Sequence, residues 1–91
     1  MWVGQGQRPR TLIVIFDADI EVAGLQRATL VSTGGRPLRV ETSYDMTGRT
    51  VTVTLPPGTG GQVELSITTG LRDVAGNHLA ASFQTSVSAR A

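Results

Sequence analysis

The chain carries few groups able to do chemistry. It has one histidine, His78, and no cysteine. His78 follows Asn77 in a stretch that also holds Asp73, with Ser66 and Ser82 nearby in sequence. Counting alone would permit a Ser–His–Asp arrangement. Catalysis requires convergent titratable groups, however, and no Gly-x-Ser-x-Gly elbow raises a serine to an exposed turn. His78 therefore reads as a surface turn residue, no catalytic residue is assigned, and the chain is expected not to be an enzyme. Asp17, Asp19 and Glu21 place three carboxylates at alternate positions. Such oxygens suit Ca²⁺, but the glycine and distant bidentate glutamate of an EF-hand loop are missing. A solvated loop is the preferred reading, and Asp73 and Asn77 would have to join it to complete a Ca²⁺ site. No other cofactor is expected. Gly34-Gly35 and Gly60-Gly61 have neither the lysine nor the following helix of a phosphate loop.

The remaining charges say little about a ligand. All eight basic residues are arginines, and the net charge is +1. That balance sets up no strong field for nucleic acid or acidic lipid. Arg36, Arg39 and Arg49 can be read as one patch at a hairpin end, although pairing of the Arg39–Glu41 kind is favoured. Aromatic residues make up 4% of the chain, too few to furnish stacking platforms. The longest apolar run, Leu12 to Phe16, is far short of the roughly 20 residues a membrane-spanning helix needs, so no membrane insertion is expected. Without cysteine there is neither a disulfide framework nor a thiolate metal site.

The elements that would position these groups show a two-residue period. Leu12, Val14 and Phe16 share one face of a strand, with Ile13 and Ile15 on the other. Apolar residues on both faces predict cover on both sides, from the N-terminal arm or from a partner. A short strand is predicted at Thr29 to Ser32, followed by a Thr33–Pro37 turn whose Gly-Gly supplies positive φ. Leu38 to Tyr44 alternates as one strand, and Asp45–Arg49 turns it into Thr50–Leu55, with Val51, Val53 and Leu55 inward. Pro56–Gly61 is predicted to cross between sheets. Val63, Leu65 and Ile67 then point inward, as do Leu79, Ala81, Phe83, Thr85 and Val87. No sustained 3.6-residue period appears. Ninety-one residues suffice for one domain, and short strands separated by Gly/Pro turns predict an all-β antiparallel sandwich of about seven strands.

The turn between the last two strands runs from Thr69 to Phe83. Asp73 can accept from backbone N–H groups two residues on, and Gly76-Asn77 can adopt positive φ. Gly70-Leu71-Arg72-Asp73-Val74-Ala75-Gly76-Asn77-His78-Leu79 resembles the "G-v-x-D-x-a-G-N-x-L" signature of bacterial Ig-like domains of the S-layer (SbsA-like) type. Leu12 to Ile20 is similar to that family's opening strand and acidic loop. Tyr44 to Val53 is similar to its "y-d-x-x-g-r-T-v-t-v" hairpin. The three matches keep the family's order between Thr11 and Val87, with Val63 where an aromatic residue is usual. The resemblance implies an Ig-like sandwich, a turn signature at Asp73, Gly76 and Asn77, and an extracellular or cell-surface setting.

These readings divide the chain into an N-terminal arm or edge strand (1–10), an Ig-like sandwich (11–87) and a tail (88–91). The expected function is that of a non-catalytic structural or interaction module of a bacterial surface or secreted protein, with adjacent domains or identical subunits as partners. Met1-Trp2-Val3-Gly4 lacks the basic start and apolar segment of a signal peptide. That motivates an alternative, a small self-assembling coat protein such as a virion decoration protein or filament subunit, located on a virion surface. The interface candidates are Trp2, Ile13 and Ile15. Trp2 reads either as a plug on the end of the domain or as an anchor on a neighbour, since tryptophan favours interface centres. A substrate-binding accessory domain of a secreted hydrolase is a third reading and would need further exposed aromatics.

Overall fold

The computed structural model describes residues Trp2 to Ala89. It is an antiparallel β-sandwich of two four-stranded sheets. In chain order the strands are β1 (Trp2–Gln5), β2 (Thr11–Ile15), β3 (Thr29–Thr33), β4 (Arg36–Leu38), β5 (Glu41–Asp45), β6 (Thr50–Thr54), β7 (Gly61–Ile67) and β8 (Phe83–Ala89). The first sheet has the order β1-β2-β6-β5 and the second β4-β3-β7-β8. A 3₁₀ turn (Val22–Gly24) and one turn of α-helix, α1 (Leu25–Ala28), lie between β2 and β3.

Alternation sets the inner faces. Leu12 lies opposite Val53 and Val14 opposite Val51, and all four are essentially without solvent contact. Across the sandwich, Val31 lies opposite Leu65 and Val63 opposite Val87. Phe16, Ile20, Leu25 and Leu71, contributed by loops and α1, complete the core. Two threonines are buried, and each hydroxyl finds a carbonyl. Thr11 Oγ1 donates to Arg8 O at 2.7 Å and Thr29 Oγ1 to Leu25 O at 2.9 Å, as buried polar groups must.

The strand count exceeds expectation for a definite reason. Leu38–Tyr44 is not one strand. β4 pairs with β3 in the second sheet, and β5 pairs with β6 in the first. The chain changes sheets at Arg39-Val40, and Val40 remains buried. Alternation of apolar residues cannot reveal this switch, because both halves face the same core. The predicted crossing at Pro56–Gly61 does join the two sheets. Gly34 and Gly35 both have positive φ, giving a two-residue hairpin with Thr33 opposite Arg36.

Three further expectations need correction. β8 begins at Phe83; Leu79 packs on the core from the preceding loop, and Ala81 is exposed rather than inward. Ser88 and Ala89, expected in the tail, belong to β8, and Ala89 is buried. Arg90 and Ala91 lie outside the described residues. The N-terminal arm pairs edgewise with β2 and so does not lie across the Ile13/Ile15 face.

Candidate contact surfaces

Two surfaces merit description: the open face of the first sheet and the loops at one end of the sandwich. On the open face, Trp2 lies opposite Ile15 and Gly4 opposite Ile13. Ile13 and Ile15 in turn face Thr52 and Thr50 of β6. The interface candidates Trp2, Ile13 and Ile15 therefore stand together as one apolar corner beside a threonine row. Trp2 is 55% exposed, Ile15 39%, and Ile13 half-buried. The indole rests over Gly4, where a β-carbon would collide with its six-membered ring. Trp2 does not plug the end of the domain; its ring lies flat on the outside of the sheet.

At the end of the sandwich the acidic loop and the Thr69–Phe83 turn are stitched together. The Glu21 N–H donates to Arg72 O at 2.8 Å and the Val74 N–H to Asp19 O at 3.0 Å. The turn signature is held by one carboxylate. Asp73 Oδ1 accepts the backbone N–H groups of Ala75 at 3.0 Å and Asn77 at 2.8 Å, and Oδ2 accepts the Asn77 side-chain amide at 3.3 Å. The Asn77 N–H, above all, holds the Asp73 carboxyl below its ordinary range. Of the Gly76-Asn77 pair, only Gly76 takes positive φ, at 91°.

The three acidic candidates do not converge. Asp19 pairs with Arg49 Nε at 3.3 Å and accepts from the Tyr44 hydroxyl at 3.4 Å. Glu21 pairs with Arg72 at 3.3 Å. Asp17 contributes its carbonyl, which accepts from Arg49 Nη1 at 3.0 Å. Among the described residues no three His, Cys, Asp or Glu side chains are grouped as metal ligands. The turn and loop enclose a cleft of about 120 Å³ between Phe16, Ile20, Leu71, Asn77 and His78. His78 Nδ1 lies 2.9 Å from Thr69 O, so the ring donates to that carbonyl.

The arginines separate. Arg49 serves the acidic loop, while Arg36 and Arg39 lie at the opposite end, and Arg39 forms no ion pair with Glu41. Reasoning from the sequence also missed Gln26. From α1 it donates to Val40 O at 2.6 Å and accepts from the Thr42 N–H at 3.1 Å and the Thr42 hydroxyl at 2.8 Å. It closes the sandwich edge where the chain changes sheets, a long-range role that no local pattern signals. No helix among the described residues is long and apolar enough to cross a membrane.

No family model matches the chain, and no curated protein matches it. Among solved structures, it is similar to the N-terminal part of the bacterial S-layer protein SbsC, with a TM-score of 0.76 and 19% sequence identity. The match covers 97% of this chain and 22% of that one. At this identity the likeness establishes a shared sandwich fold.

Proposed function

We propose that this chain is a non-catalytic, Ig-like structural module of a bacterial surface or secreted protein, working by contact with protein neighbours outside the cell. The observation that carries the reading is the apolar corner on the first sheet. A small domain with few aromatic residues leaves its one tryptophan more than half exposed, beside two isoleucines, on an otherwise threonine-bearing face. Rigid, exposed aromatics of this kind act as anchors in protein interfaces. The likeness of the fold to part of an S-layer protein supports the surface setting. The hydrogen bond given by His78 goes to the carbonyl of Thr69 and not to a serine or a carboxylate, in keeping with a turn residue.

Two measurements test this. Protease shaving of intact cells that make the protein is expected to release fragments of the chain; a wholly internal pool overturns the surface assignment. Cross-linking in the same cells is expected to capture a protein neighbour, with the yield falling several-fold on Trp2→Ala. An unchanged yield removes the proposed face.

A further inference from the structure

The two ends of the sandwich carry opposite charge. One end holds the 16–21 loop, the β5–β6 hairpin and the Asp73 turn, and with them five carboxylates: Asp17, Asp19, Glu21, Asp45 and Asp73. Two guanidiniums stand there, those of Arg49 and Arg72, and they are engaged by Asp19 and Glu21. Arg27 is on α1, whose Gln26 reaches the sheet switch instead. The opposite end holds the β1–β2, β3–β4 and β6–β7 connections and the sheet switch between β4 and β5. It carries Arg8, Arg10, Arg36 and Arg39 against two carboxylates, Glu41 and Glu64, the second lining a cavity with Gly35, Pro37 and Arg39. None of those four arginines forms an ion pair among the described residues. Arg10 and Arg39 border an open groove of about 550 Å³ with Glu41, Pro56 and Pro57.

A net charge of +1 conceals this separation. Strands of five to seven residues hold the ends roughly 15–20 Å apart, about twice the Debye length of about 8 Å at physiological ionic strength. Each end therefore presents its own field. The direction of the chain matches the charge. β1 starts at Trp2, opposite Ile15, at the acidic end, and β8 finishes at Ala89, opposite Gly61, at the basic end. Copies aligned in one direction bring unlike ends together at every junction. Copies facing each other bring like ends together, which repel.

We infer that copies of this chain associate head to tail, the basic end of one, with Arg8, Arg36 and Arg39, seated against the acidic end of the next, with Asp17 and Glu21. Such a heterologous contact propagates into a line instead of closing as a dimer. The inference goes beyond the contact face above: it uses other residues and an electrostatic attraction.

Sedimentation velocity on the chain at about 20 mM and about 500 mM salt tests it. At low salt the average mass should climb with concentration to dimer and beyond; at high salt it should return to monomer. Arg8→Glu/Arg36→Glu/Arg39→Glu has two acidic ends, and Asp17→Arg/Glu21→Arg has two basic ends. Each should be monomeric alone at low salt, with a strand-type circular dichroism spectrum like that of the parent. Mixed in equal amounts, the two should associate again. A parent that stays monomeric at low salt, either variant self-associating as the parent does, or a mixture that stays monomeric overturns the inference. Association insensitive to salt but lost in Trp2→Ala also overturns it, while leaving the contact-face reading intact. Salt-sensitive association unaffected by Trp2→Ala supports it.

Discussion

The indole of Trp2 lies over Gly4, two residues further along the same face of β1, with no room for a side chain beneath it. Glycine usually weakens a strand interior; here its missing β-carbon is what lets the ring lie flat. Gly4 does not have positive φ, so alanine is compatible with the strand backbone. Gly4→Ala should therefore keep the fold while lifting the ring. Because Trp2 is the sole tryptophan, its emission should shift to the red and acrylamide quenching should rise. Unchanged emission and quenching would show that the ring is not seated on Gly4.

Gln26 joins α1 to the sheet switch through three hydrogen bonds, to Val40 O and to two groups of Thr42. These bonds are partly exposed, so each contributes less than an enclosed one. Gln26→Ala is expected to cost about 1–2 kcal/mol in all, lowering Tm by roughly 5–10 °C in a domain of this size. Denaturant unfolding would check it. Arg27→Ala, on the same helical turn and without an ion pair among the described residues, should change stability by less than about 0.5 kcal/mol.

The sandwich was legible because alternation is a direct consequence of burying one face of a strand. Leu12/Val14, Val51/Val53 and Val63/Leu65/Ile67 are read straight off their spacing, and all are buried. The Asp73 turn was legible because a carboxylate two residues before a backbone N–H announces itself locally, as Ala75 shows. What escaped depends on distance in three dimensions. Gln26 meets Thr42 across 16 positions, and Arg49 meets Asp17 across 32. The change of sheet at Arg39-Val40 leaves the apolar pattern intact on both sides. At Ile13 and Ile15 the apolar composition signals a need for cover and leaves two sources open, the N-terminal arm or a partner, because composition does not say whether the chain itself supplies it. The arm pairs edgewise instead.

The acidic loop yields a prediction about Ca²⁺. Asp19 and Glu21 each face a guanidinium, at 3.3 Å, and a cation would have to displace both arginines and bring Asp17 round to them. Millimolar Ca²⁺ is expected to leave Tm unchanged, since a ligand that binds only the folded state must raise it. A rise that disappears in Asp17→Asn/Glu21→Gln would establish a site. Removing the Asp19–Arg49 pair by Asp19→Asn should cost no more than about 1 kcal/mol, because both side chains are about half exposed.

Asp73 gives the chain its clearest dependence on pH. The Asn77 backbone N–H, the Asn77 side-chain amide and the Ala75 and Gly76 N–H groups favour its charged form, and together they outweigh the desolvation that opposes it. The carboxyl is thereby held below the ordinary value of 3.8. A group whose pKa is depressed on folding stabilises the folded state fully above its unfolded pKa and loses that effect as pH falls through the folded one. The parent should hold its Tm from neutral pH down to about pH 4.5 and lose the contribution of this turn below the ordinary carboxylate range. Asp73→Ala should melt lower than the parent at pH 7, and the gap between the two should narrow as pH drops below about 3.5. Melting curves of both proteins across pH 2–7 check the sign. A gap that stays constant throughout, or widens in acid, would mean that the charged carboxylate is not what holds Asn77.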